Sequence, residues 1–177
     1  MHRLLTVSAI FSTLIFPHSS FALQNENQLR CLYYQAATRQ NVDIKIAECS
    51  YLFPFDVGKI TDSLTFYPLL NLGAVISGRD YGALLGGGLG MNYSFFEKVD
   101  LYFEGGSSWL TDVEYGKRGE ALKDYGGHVM FFAKLGLQYH LLTNWAVGYS
   151  FLHLSNGNRY EVNPGFDGHG ISISYHF

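Results

Sequence analysis

The chain has 177 residues and a formal net charge of −3; 15% of its residues are charged, 16% are aromatic and 20 are glycine. Soluble domains carry about a quarter charged residues, so this composition argues against a helical bundle and for short strands with aromatic ends. A slightly acidic chain without a basic stripe excludes nucleic acid as the expected partner.

Met1-His2-Arg3 is short and basic, Leu4 to Phe16 is mostly apolar, and Ser20-Phe21-Ala22 offers small residues where a signal peptidase reads. That order predicts a secretory signal over residues 1–22, cleaved after Ala22. An N-terminal membrane anchor would need a longer apolar run. The remainder, 23–177, fits one domain, and no later stretch is apolar enough for a transmembrane helix. Cys31 and Cys49 are the two cysteines. An exported chain permits a disulfide, and a turn near Gln40 would set the pair opposite each other; two unpaired thiols are the alternative. There is no CxxC and no metal-ligand spacing, so no metal is expected.

In the first half, strands are expected loosely at Gln28–Ala36, Val42–Phe53 and Thr61–Ser77, with Pro54 and Pro68 as breaks or edge features. The second half alternates with period two, the mark of strands with unlike faces. Tyr81 to Tyr93 sets Tyr81, Leu85, Leu89 and Met91 against a face of glycines. Val99, Leu101 and Phe103 alternate with Asp100, Tyr102 and Glu104. Val129 to Tyr139, Trp145 to Phe151 and Ile171 to Phe177 follow the same rule. Throughout, bulky apolar residues take odd numbers, and polar or small residues take even ones.

An aqueous sandwich would bury the odd face, whereas a membrane barrel turns it to lipid and keeps the polar face inside. The even residues Glu104, Lys134, Gln138 and His140 suit pairing in a narrow interior, and His128 shares their parity. Aromatics gather near strand ends, and the chain closes on an apolar strand ending in Phe177, like the assembly signal of outer-membrane proteins. Three early strands and five clear ones predict an all-β, eight-stranded antiparallel transmembrane barrel, the smallest even bacterial size. The short turns Ser94–Lys98 and Leu141–Thr143 then face the periplasm, and the long connections Thr111–Gly126 and Asn156–Asp167 face outside.

The segment Phe151-Leu152-His153-Leu154-Ser155-Asn156-Gly157 stands apart. His153 and Ser155 are two apart on a strand, so they point the same way and extend the lipid-facing stripe. Asp167 has the same parity, and antiparallel pairing across the intervening loop brings it back beside His153. A serine hydroxyl becomes nucleophilic when an imidazole takes its proton, and a carboxylate on the other ring nitrogen fixes the tautomer. Asn156 or the Gly157 amide would donate to the oxyanion of an ester under attack. The plain alternative is a set of ordinary interfacial residues, because His-x-Ser is common by chance.

The run His153-Leu154-Ser155-Asn156, then Asn163-Pro164-Gly165 and an acid twelve residues after the serine, resembles the lipid A 3-O-deacylase family (PagL type). The resemblance is good from about Tyr81 onward and thin before Thr61. It implies an eight-stranded barrel in the bacterial outer membrane, acting without a cofactor on lipid A of lipopolysaccharide in the outer leaflet. It also implies Ser155 as nucleophile, His153 as base, Asp167 as orienting acid, Asn156 at the oxyanion and Asn163 shaping the loop. The family acid is glutamate, one methylene longer than Asp167; Glu161, in mid-loop, is the alternative acid.

His169 shares the face of Asp167 and reads as an interfacial histidine. Arg79, Lys117, Arg118, Lys123 and Arg159 fall in or near the outer loops; fixed cations there can meet phosphate, but each singly reads as solvated. Gly86-Gly87-Gly88 reads as close strand packing, not a phosphate loop. Competing functions are a structural or adhesive barrel, a lipid A acyltransferase, and a soluble periplasmic barrel that binds a small ligand.

Overall fold

The computed structural model describes residues 26–53 and 63–177. The signal segment 1–22, Pro54 and Thr61 lie outside those residues. Period-two alternation produces ten strands: β1 (Gln28–Ala36), β2 (Lys45–Leu52), β3 (Leu64–Ser77), β4 (Asp80–Phe96), β5 (Val99–Leu110), β6 (Glu114–Lys117), β7 (Ala121–Asp124), β8 (Val129–His140), β9 (Trp145–Ser155) and β10 (Phe166–His176). Eight of them close into an antiparallel barrel in the order β1-β10-β9-β8-β5-β4-β3-β2, while β6 and β7 form a separate ribbon in the connection from β5 to β8. The connections 97–98 and 141–144 lie at one end of the barrel; 37–44, 111–128 and 156–165 lie at the other, together with the two-residue turn 78–79. The long connections mark the outer side of such barrels.

Even residues point inward and odd residues outward on every barrel strand except β3, where Tyr67, Leu69, Asn71 and Val75 are buried and Leu70 and Leu72 face out. Leu72, Leu85, Leu89 and Ile171 stand more than half exposed on the outer wall, an arrangement that is stable only against lipid. Aromatics ring the turn end, where Trp145 packs on Tyr175 and Tyr51 on Phe177. Inside, Arg30 donates to Glu104 at 2.6 Å, and the Tyr67 hydroxyl donates to the same carboxylate at 3.0 Å. Lys134 lies between Glu48 and Glu104, and the guanidinium of Arg30 sits 3.8 Å over the Tyr102 ring. Gln28 donates to Gln138, and the ring of His140 donates to Asp100 at 2.7 Å. The glycines of the inward face make room for these rings: a Cβ on Gly90 would lie 2.3 Å from Tyr67.

Four expectations need correction. The inward face is not polar or small throughout. At the loop end Leu84, Leu110, Met130, Phe132, Leu152, Leu154 and Phe166 fill it with apolar bulk, packed with Tyr115 and Tyr125 from the ribbon connection, so no water reaches that level to favour polar groups. His128 is not interior: it precedes the first ladder residue of β8 and is exposed, stacked on Trp109 with its Nδ1 donating to the Leu110 carbonyl. β2 starts at Lys45, because Val42 and Ile44 leave the ladder to bury themselves in the apolar cap. Pro68 does not break β3. It lies just past the last β2 ladder pair, Leu52 with Leu69, and its carbonyl accepts from Phe53, so the missing donor costs one terminal bond. Cys31 and Cys49 are direct partners across β1 and β2 and form a disulfide.

Candidate active site

The register of β9 and β10 pairs His153 directly with Asp167, and on the other side β8 pairs Ala133 with His153 and Phe131 with Ser155. All five have odd numbers, so all face outward, at the loop end of the wall. His153 Nδ1 donates to Asp167 Oδ1 at 2.7 Å, and His153 Nε2 lies 3.2 Å from the Ser155 hydroxyl. With its Nδ1 proton held by the carboxylate, the neutral ring presents the Nε2 lone pair to the serine. His153 and Asp167 are about half exposed, at 50% and 53%. Ala133 keeps the flank of the imidazole low where a larger side chain would cover it.

The loop that follows Ser155 is built around Asn156. Its number is even, so it turns inward and is fully buried. Its Nδ2 donates to the carbonyls of Tyr125 and Val162, at 2.9 and 2.6 Å, and its backbone N–H donates to Asn163 Oδ1. Gly157 and Asn158 follow with φ of 63° and 60°, a tight left-handed pair that reverses the chain. Every donor of Asn156 is therefore committed, and the expected oxyanion role does not suit it in this conformation: it anchors the loop. The Gly157 amide has no partner among the described residues, and Asn163 spends one Nδ2 hydrogen on Asn158 Oδ1, leaving the other.

Glu161 lies away from the trio, in a cleft with Arg159, Tyr160 and Asp124. His169 meets the Tyr149 hydroxyl at 2.5 Å and packs against Tyr149 and Phe151. Arg118 pairs with Glu114 and Lys117 with Glu120, both on the surface. Arg159 stands 6.0 Å over the Phe131 ring. Lys123 departs from the expected solvated state. It is only 8% exposed, its Nζ donates to Gln40 Oε1 at 2.8 Å, and burial pushes its ammonium down to about 8. Only the inward side of a four-residue strand marks it in the sequence, and the loop that covers it comes from more than eighty residues earlier. No group of three or more metal-ligating side chains occurs among the described residues.

A family model described as lipid A 3-O-deacylase (PagL) matches residues 30–176. Among solved structures, the barrel resembles the crystal structure of the outer membrane enzyme PagL, with a TM-score of 0.63 at 13% identity over 84% of this chain and 98% of that one. It also resembles the N-terminal β-barrel domain of Pseudomonas aeruginosa OprF, with a TM-score of 0.56 at 15% identity over 87% and 98%. At such identities the likeness is one of fold. An outer membrane protein A from Serratia marcescens is 31% identical over 93 residues, which span 49% of this chain and 26% of that protein.

Proposed function

The chain belongs to the lipid A 3-O-deacylase family, and from that premise we propose that it is a serine esterase that removes the ester-linked acyl chain at the 3-position of lipid A. It is a β-barrel of the bacterial outer membrane. The observation that supports the serine mechanism is the unbroken chain of hydrogen bonds from Asp167 through His153 to Ser155.

In this mechanism Ser155 Oγ attacks the ester carbonyl as its proton passes to His153 Nε2. Asp167 holds the ring in the required tautomer and stabilises the imidazolium that forms. The Gly157 amide and the spare Nδ2 hydrogen of Asn163 serve the developing oxyanion, where one donor is worth on the order of a hundredfold in rate or more. Collapse breaks the ester bond to the sugar oxygen, which takes the proton from His153 and leaves as the alcohol. Water, activated by the same imidazole, then releases the fatty acid and restores Ser155. Because the trio faces outward, the substrate reaches it sideways from the outer leaflet, with its acyl chain still among lipids.

A fluorophosphonate ester tests the nucleophile without needing the natural substrate. Intact-mass analysis should show one adduct on the folded barrel, mapping to Ser155 and lost in Ser155→Ala and His153→Ala. Absence of an adduct on the folded wild type would overturn the serine mechanism.

A further inference from the structure

Of the buried cations among the described residues, Arg30 and Lys134 are ion-paired inside the barrel, whereas Lys123 sits outside it in the β6–β7 ribbon. Lys123 lines an open cleft of about 740 Å³ between the 38–42 segment, β7 and the 162–165 segment, and the cleft reaches Asp167. The two carboxylates in its lining are already engaged. Asp167 accepts from His153, and Asp124 Oδ1 accepts from the Gly126 amide at 2.7 Å. The ammonium of Lys123 has one neutral acceptor, Gln40, and among the described residues no carboxylate within ion-pair distance. Among the described residues, two of its three hydrogens lack a protein acceptor. An ammonium held out of water in this way recovers what burial costs it when an anion docks.

We propose that this cleft seats the head group of the lipid substrate and that Lys123 is a ligand for a phosphate on that head group. The proposal rests on reading Ser155 as the ester-cleaving nucleophile, because the cleft opens beside Asp167 at the loop end, where the head group of an outer-leaflet lipid lies. Thr38, Gln40, Asn41 and Asn163 supply the neutral polar rim that sugar hydroxyls need. The charge of Lys123 gives the seat a pH limit. Burial lowers its pKa to about 8, and Asp167 pulls the other way. The charged groups in its lining are Asp124 on its own strand and Asp167 on β10; the 38–42 and 162–165 segments contribute neutral groups. The empty cleft therefore loses its cation as pH rises through about 8, and a bound phosphate moves that loss upward.

The test measures binding in the Ser155→Ala background, in detergent micelles, with doubly phosphorylated lipid A and with the same lipid stripped of phosphate. Removing phosphate should weaken binding about tenfold or more, the worth of one charge-assisted hydrogen bond. Lys123→Met should weaken the phosphorylated lipid by the same factor and leave the stripped lipid unchanged, with Lys123→Arg restoring most of the loss. The preference for phosphate should fade as pH is raised well above 8. Equal weakening of both lipids by Lys123→Met, or of neither, or no preference for phosphate in the parent, would overturn the proposal. If binding depends on Lys123 but the wild type hydrolyses nothing, the esterase reading alone is wrong. If hydrolysis persists but binding ignores Lys123, the phosphate seat alone is wrong.

Discussion

Asp167 meets His153 Nδ1 at 2.7 Å although its side chain is one methylene shorter than the family glutamate. It reaches because it is the direct cross-strand partner of His153: the backbone ladder brings the two Cβ atoms together, and the extra methylene is not needed. Asp167→Asn keeps that geometry but presents an amide that no longer fixes the tautomer. Its hydrolysis of lipid A, followed by fatty-acid release, should fall by about a thousandfold or more. Asp167→Glu must fold its longer chain into the same span and should stay within about tenfold of wild type. Equal activity in wild type and Asp167→Asn would remove Asp167 from the mechanism. Parity makes the convergence of this trio legible in the sequence, because 153, 155 and 167 share a face and the loop between them returns one to the others, while its catalytic reading comes from the family resemblance. Asn156 and Lys123 were not legible in the same way. Asn156 sits next to the serine in sequence but on the opposite face, and Lys123 is buried by a loop far away along the chain.

At the scale of elements, the outer end of β9 depends on its loop, and the loop depends on Asn156. Its side chain ties β9 to the carbonyl of Tyr125 beyond the ribbon and to Val162 within the loop. Asn156→Ala strands two carbonyls near the apolar cap and should cost about 2 kcal/mol or more, read as a lower urea midpoint. Hydrolysis should fall as well, because the Gly157 amide and Asn163 lose their fixed positions. An unchanged midpoint would show that the loop is held elsewhere. The strands of the second half were legible from strict alternation. The first half carries looser signals, and β2 starts three residues later than its sequence suggests, at Lys45. Val42 and Ile44 look like strand residues, but the apolar cap claims them. Pro68 looks like a break, yet it falls where β2 has already ended.

For the whole molecule, closing eight strands leaves an interior too narrow for a channel, and side chains fill it. Arg30, Glu48, Glu104 and Lys134 form one buried network drawn from β1, β2, β5 and β8, so charge pairing and barrel closure depend on each other. Glu104→Ala leaves Arg30 without its carboxylate and Tyr67 without its acceptor. It should cost about 3–5 kcal/mol, measured by denaturant unfolding in micelles; a change under about 1 kcal/mol would mean that water or Glu48 compensates. Glu104 and Lys134 were legible as an interior pair from their parity. Their partners Arg30 and Glu48 were not, because β1 faces β5 and β2 faces β8 across the barrel interior, a proximity that strand pairing along the chain does not reveal.

Whether this outer-wall trio removes an acyl chain from lipid A can be read from the mass spectrum of lipid A from bacteria expressing the wild type and Ser155→Ala. The wild type should yield lipid A lighter by one 3-position acyl chain, and the folded Ser155→Ala barrel should leave it intact. Lipid A of unchanged mass with the folded wild type would rule out the deacylase, and lipid A of greater mass would make the barrel an acyltransferase.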